Sequence, residues 1–372
     1  MPQMKQLKEL EELESAGPAD KYDFFIQWHL TERCNLRCRH CYQAPRKGAR
    51  ARVDLSLEEM RRVMAEISDT LENWAKNYRI DFSPSLNITG GEPLLRADLL
   101  NIISEARGRG FEVFLLTNGT IINRHRAQAL ASAGVRAVQV SIEGPEEIHD
   151  SIRGRGSFSQ AVWGVKNLLA AGLTVTLNAT LSSLNAGRMA EMAALATSIG
   201  VQRLGFSRLV PYGRGMDLAG EMLSSEQVRQ LYDTLLSLDT GGLEIVTGDP
   251  VATQMKIKNY PETGCTTAGG MMPFGGCAAG ISGFTILADG TMTPCRRLPL
   301  PIGNVRRDSI REVWAASPVL EALRDKSRYS GKCGSCRRWA TCRGCRAIAY
   351  ACSLTGGKGD FLSEDPQCFI DQ

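Results

Sequence analysis

Twelve cysteines constrain this chain more than any other feature, because they fall in two groups: Cys34, Cys38 and Cys41 near the start, and nine from Cys265 to Cys368. The first residues carry no apolar secretion segment, and no apolar run approaches the roughly 20 residues that span a bilayer. A reducing cytoplasm disfavours a disulfide framework. Thiols at these spacings therefore read as metal or catalytic ligands in a soluble, cytoplasmic protein. With 372 residues the chain is long enough for two domains, and the grouping predicts two metal-bearing regions. Lys and Arg total 44 against 40 Asp and Glu, a net charge of +4 that offers no sustained field for nucleic acid or an anionic membrane.

From residue 23 to about 238, short β-branched or aromatic runs alternate with longer helical periods. Strands are predicted at 23–30, 85–89, 111–117, 136–142, 173–180 and 201–207, each followed by a helix. The first and last of these helices open with capping boxes, Ser56 with Glu59 and Ser224 with Gln227. Six β-α units in succession require a parallel sheet with right-handed crossovers, either doubly wound or partly closed as a barrel. In both, ligands bind beyond the carboxyl ends of the strands. There lie Cys34 to Cys41, Gly90-Gly91-Glu92, Thr117-Asn118-Gly119 and Ser141-Ile142-Glu143. After residue 239 the rhythm stops, and glycine-dense 264–283 needs thiol–metal cohesion in place of an apolar core. Residues 1–22 read as a helix and linker packed on the barrel.

Three thiolates within eight residues at a strand end can wrap one inorganic cluster and leave a coordination position open; zinc with a remote fourth ligand uses the same donors. Cys-x3-Cys-x2-Cys after the first strand, with Gly90-Gly91-Glu92-Pro93 after the second, resembles the radical S-adenosylmethionine (SAM) superfamily. That resemblance implies an α/β fold with a partial (β/α)6 TIM-like barrel. It implies a four-iron four-sulfur cluster on Cys34, Cys38 and Cys41, the catalytic centre, where SAM is reductively cleaved to a 5′-deoxyadenosyl radical that abstracts hydrogen from substrate. Gly90, Gly91 and Glu92 would then hold the methionine part, Ser141 the ribose and Arg153 the SAM carboxylate, with His40 near adenine. Asn118 joins this cofactor-binding set as a strand-end polar residue, beside Thr117 and Asn178. Where relatives often carry Asp after Ser-Ile, this chain has Glu143.

Cys277-x12-Gly290-x4-Cys295, Cys333-x2-Cys336-x5-Cys342-x2-Cys345 and Cys368 resemble the SPASM extension of that superfamily, giving an expected division at 1–22, 23–238 and 239–372. Only two residues separate Cys342 from Cys345, where many members have three. By resemblance, Cys333, Cys336, Cys342 and Cys368 bind a distal auxiliary cluster. Cys277, Cys295 and Cys345 bind a nearer one, with Cys265 as fourth ligand, for three four-iron clusters in all. Cys352 is left as a small buried hydrophobe. Paired Cys-x2-Cys is also zinc-ribbon chemistry, but fully ligated iron-sulfur clusters carry the single electrons that oxidative reactions release.

The extension is associated mostly with maturases, so the first expectation is oxidative modification of a ribosomal peptide or protein. The implied partners are a flavodoxin- or ferredoxin-type electron donor and a separate peptide-recognition protein. The second is oxidative decarboxylation of tetrapyrrole propionates in haem synthesis, a branch sharing the GCRA and EDPxC endings and a LVPxGRG-like stretch, here Leu209 to Gly215. A third, a non-catalytic iron-sulfur electron carrier, gives no reason for an open three-thiol site beside GGE. Sulfatase maturases carry an acidic base where this chain has Arg296-Arg297. With Arg208 and Arg214 these are expected to face substrate carboxylates.

Overall fold

The computed structural model describes residues 22–43, 53–238, 241–256, 266–267, 270–271, 273 and 275–370; the expected N-terminal helix lies outside them. Six strands form where the alternation placed them: β1 (Tyr22–His29), β2 (Phe82–Thr89), β3 (Glu112–Thr117), β4 (Ala137–Ser141), β5 (Thr174–Leu181) and β6 (Arg203–Arg208). Each lies parallel beside its predecessor. That order is a barrel wall, since a doubly wound sheet must reverse its strand order at a switch point. The intervening helices are α1 (Leu57–Tyr78), α2 (Leu99–Gly108), α3 (Arg124–Ser132), α4 (Glu146–Arg153), α5 (Ser157–Ala170), α6 (Met189–Ile199) and α7 (Ser225–Ser237). Both expected capping boxes, at the starts of α1 and α7, are present.

Alternation along the strands separates two environments. In β5, Val175, Leu177, Ala179 and Leu181 are buried in the main core, while Asn178 and Thr180 point to the other face and border a cavity. Gln139 and Ser141 in β4 repeat the pattern. The polar inner ends are what an open barrel needs, because its interior there holds ligand in place of core side chains.

The wall does not close. Beyond β6 it gains β7 (Glu244–Val246); β8 (Thr266–Thr267) and β9 (Gly270–Met271) pair with each other in a separate two-stranded sheet. At the opposite edge, β10 (Gly283–Ile286) joins β1 in parallel, followed by antiparallel β11 (Thr291–Thr293) and β12 (Gly303–Asn304). The cysteine-rich segment thus shares the barrel's own sheet. An aromatic group closes this seam: Trp314 lies 5.1 Å from Phe24 of β1 and packs on Trp74 and Phe284. No helix among the described residues is long and apolar enough to cross a membrane.

Gly283 sits opposite Phe25 in the register, and a Cβ there would lie 1.9 Å from the Phe25 carbonyl oxygen. Gly283→Ala is expected to destabilise the protein by about 1–3 kcal/mol through overpacking of the seam. Denaturant unfolding measures this; an unchanged midpoint would mean that the two strands separate without cost.

Candidate active site and metal centres

A cavity of about 440 Å³ opens at the carboxyl ends of the strands. Cys34, Cys38 and Cys41, in the loop after β1, all border it, and so do His40, Gly90, Gly91, Asn118, Ser141 and Arg153. Sequence positions spread over more than a hundred residues therefore meet at one site. Burial pushes the Cys34 and Cys38 thiols above their ordinary pKa, and the charges of the three cysteines act on one another. Metal coordination relieves such a site by taking the thiols as thiolates. Three sulfurs on one loop beside open space suit a cluster with one free coordination position.

The glycine pair has a clear steric role. Gly90 has φ +143°, and Cβ atoms on Gly90 and Gly91 would lie 2.6 Å from the Thr31 and 2.1 Å from the Arg33 carbonyl oxygens. The end of β2 can therefore lie directly against the cysteine loop, with Gly91 N and Glu92 N donating to those same oxygens. Glu92 differs from its expected place. Its carboxylate is fully buried and accepts from Thr117 Oγ1 at 2.8 Å, Asn118 N at 2.9 Å and Leu94 N at 3.2 Å. It stitches β2 to the end of β3, while the neighbouring glycines present the backbone to the cavity. Asn118 in turn donates to Asn35 Oδ1 at 2.9 Å, steadying the cysteine loop.

Arg153 does not stand free. Its Nε and Nη2 donate to Glu143 Oε1 at 2.8 and 2.5 Å, and Nη1 lies 3.7 Å from Cys38 Sγ. Burial alone would raise the Glu143 carboxyl, but Arg153 and His40 hold it well below the usual carboxylate range. The residue that departs from the family pattern thus orients the arginine at the cavity wall, and Thr180 N fixes its other oxygen at 2.7 Å.

Sequence reasoning missed the structural part of the 209–215 stretch. Arg214 Nε donates to the Cys38 carbonyl at 2.9 Å, and its backbone N to that of Cys41 at 3.0 Å. Gly213 has φ +62° and a Cβ there would clash with the Cys41 and Tyr42 carbonyls at 2.7 Å. The Gly-Arg-Gly turn is therefore a buttress under the cysteine loop.

All four arginines expected to face substrate border the cavity, but the expectation that the Arg208 guanidinium faces a ligand must be corrected. Its guanidinium is 1% exposed and is consumed by Asp249 at 2.6 and 3.1 Å and by Asp365 at 2.7 and 3.0 Å. With Gln367 Oε1 accepting a further bond at 3.2 Å, all five N–H groups of the guanidinium are taken and none is left for a ligand. Asp365 also accepts from Cys345 N at 2.8 Å, so this network ties β6 to the cysteine-rich segment.

Four C-terminal thiols, those of Cys333, Cys336, Cys342 and Cys368, line one second cavity. The other set lies nearer the active site: Cys295, immediately before Arg296 and Arg297, packs in one apolar group with Cys345 and in another with Cys277. Burial pushes the Cys345 thiol up to about 12. Cys265 lies outside the described residues. Cys352 is partly buried in an apolar group with its Sγ 3.8 Å from Met222 Sδ.

Residues 28–196 match the radical SAM superfamily and residues 277–346 the SPASM iron-sulfur cluster-binding domain. An AdoMet-dependent heme synthase of Methanosarcina barkeri is 32% identical over 92% of this chain and 95% of its own length. The chain belongs to the radical SAM superfamily. Mycofactocin maturase MftC of Mycolicibacterium smegmatis is also 32% identical, over 92% of this chain and 82% of that protein. The fold matches that of Streptococcus suis SuiB with a TM-score of 0.70 at 15% identity, covering 99% of this chain and 88% of the other. The protein is accordingly a radical SAM/SPASM enzyme that binds SAM and iron-sulfur clusters.

Replacing Arg208 by Met leaves Asp249 and Asp365 facing each other without a cation. The expected cost is about 3–5 kcal/mol, measured by denaturant unfolding, with iron lost from the C-terminal thiols. A loss below about 1 kcal/mol would mean that the carboxylates find other partners.

Proposed function

We propose that this enzyme uses the radical generated from SAM to oxidise a substrate bearing carboxylates, and that tetrapyrrole propionate side chains are the leading candidate. One observation carries the reading: the cavity that holds the three catalytic thiols is also walled by Arg214, Arg296 and Arg297. Arg groups recognise carboxylates through paired N–H donors. The heme synthase likeness along nearly the whole of both chains supports the tetrapyrrole. Oxidative maturation of a ribosomal peptide is the second reading, favoured by the equal identity to a mycofactocin maturase.

In this assignment Cys34, Cys38 and Cys41 hold the cluster whose open position takes SAM. Gly90, Gly91, Asn118, Ser141, His40 and Arg153 form the wall against it, with Glu92 and Glu143 as positioning residues. Cys333, Cys336, Cys342 and Cys368 hold the distal cluster, and Cys277, Cys295 and Cys345, with Cys265, the nearer one. A reduced cluster with SAM bound supplies a 5′-deoxyadenosyl radical able to remove a hydrogen atom from substrate. The arginines would orient a substrate carboxylate beside the three thiols. An external flavodoxin or ferredoxin supplies the starting electron, and for a peptide a separate recognition protein would assist capture.

Replacing Cys34, Cys38 and Cys41 together by Ala is expected to abolish 5′-deoxyadenosine formation from SAM and dithionite while the C-terminal iron remains. The unaltered protein should hold about twelve irons per chain. Retained SAM cleavage in the triple variant would overturn the site assignment.

For the substrate, anaerobic incubation with iron-coproporphyrin, SAM and dithionite is expected to convert propionates to vinyl groups. Each conversion removes the elements of formic acid, which mass spectrometry detects, and Arg297→Ala should slow it at least tenfold while sparing uncoupled SAM cleavage. SAM cleavage without any vinyl product would reject the tetrapyrrole and leave the peptide.

A further inference from the structure

The two auxiliary thiol sets differ in what surrounds their sulfurs. In the distal set all four accept an N–H. Arg346 Nη2 lies 3.4 Å from Cys333 Sγ, Arg338 N 3.4 Å from Cys336 Sγ and Gly344 N 3.4 Å from Cys342 Sγ, while the Ile370 N–H bonds to Cys368. Three of these are backbone donors; the fourth is a full positive charge. For Cys277, Cys295 and Cys345, the described residues supply no such donor to sulfur. Cations act on these sulfurs without such a bond: Arg297 and Arg208 on Cys345, Arg297 on Cys295, and Arg343 and Arg346 on Cys277.

The difference arises from a crossed loop, Cys342-Arg343-Gly344-Cys345-Arg346. Arg343 and Gly344 are consecutive left-handed residues, φ 63° and 58°, and the turn sends Cys342 to one thiol set and Cys345 to the other. Each arginine then serves the set opposite to its neighbouring cysteine. Arg343, next to Cys342, donates to the Cys277 carbonyl at 2.6 Å. Arg346, next to Cys345, reaches back to Cys333. It is 1% exposed, held by the Phe361 and Ser363 carbonyls at 3.1 and 2.5 Å and by the Tyr329 ring at 5.1 Å. A Cβ on Gly344 would lie 2.8 Å from Arg346 Nη2 and 3.3 Å from Cys333 Sγ. The two-residue spacing therefore delivers a buried guanidinium to one ligand sulfur.

Reduction adds a negative charge to a cluster, and hydrogen bonds to its sulfurs and nearby cations stabilise that charge. We propose that Arg346 is a positioning residue that makes the distal cluster the higher-potential member of the auxiliary pair, so that the electron removed from substrate comes to rest there. One electron moves, the distal centre is reduced and the nearer one reoxidised; no bond or proton is involved. The inference rests on the ligand assignment above.

Potentiometry of the reconstituted holoenzyme followed by electron paramagnetic resonance tests it, with the distal signal identified by its loss in Cys336→Ala. In the unaltered protein the distal centre should be reduced before the nearer one. Arg346→Met should shift the distal midpoint to more negative potential and leave the SAM-binding centre unmoved, while Arg346→Lys, which keeps the charge, should restore most of the shift. An unmoved distal midpoint in Arg346→Met at full iron content overturns the proposal. If Arg346→Met loses distal iron, pulsed resonance on unaltered enzyme carrying isotopically labelled arginine decides. A nitrogen coupling at the reduced distal centre is expected, and its absence overturns the proposal. Absence of iron at the distal thiols of the unaltered protein would instead overturn the ligand assignment itself.

Discussion

One buried guanidinium joins the two halves of this enzyme. Arg208 ends the sixth strand, and its side chain, with those of Asp249 and Asp365, is almost wholly withdrawn from water. Burying charge in this way is costly unless geometry satisfies every donor. Here Asp249 and Asp365 take the fork of the guanidinium, and Gln367 Oε1 accepts a further bond at 3.2 Å. The same Asp365 receives the Cys345 N–H and stands three residues before Cys368. A single ion network therefore sets the barrel wall, a thiol of the nearer set and the chain segment that bears a thiol of the distal set.

From that anchor the chemistry is laid out in sequence. The Arg208 carbonyl accepts from Arg297 Nη1 at 3.3 Å, holding Arg297 in the cavity wall two residues after Cys295. Cys277 N donates to the Cys342 carbonyl at 2.9 Å, so the nearer and distal thiol sets touch through one backbone hydrogen bond. The cavity of Cys34, Cys38 and Cys41, the nearer thiols and the distal thiols are thus linked in turn by hydrogen bonds and apolar packing.

Much of this was legible in the sequence because it is local. Periodicity located six strands, Ser56 and Ser224 announced their helices, and thiol spacing within loops grouped cysteines that do border common cavities. What stayed hidden depends on distant partners. Arg208 reads as an arginine for substrate carboxylates until Asp365, 157 residues away, is brought to it, and nothing in its neighbours discloses that. Glu143 read as a departure from pattern, whereas its long side chain reaches both Arg153 and the Thr180 backbone. The pairing of β10 with β1 left only one trace, a glycine at position 283 in an otherwise apolar run. Glu92 was placed on the right loop, but whether a carboxylate faces ligand or its own backbone is a matter of one rotamer.

The union of β1 and β10 bears on how the molecule is made. Tyr22 Oη donates to the Ile281 carbonyl, a contact spanning 259 residues, and the first strand's outer edge stays unpaired until that late segment emerges. An open strand edge is a template for association with other chains, and closing so long a loop is slow. The barrel is thus synthesised with one raw border, completed only by the segment that also bears the auxiliary thiols. The stretch of chain that shields the first strand's edge is therefore the same stretch that carries the auxiliary thiols.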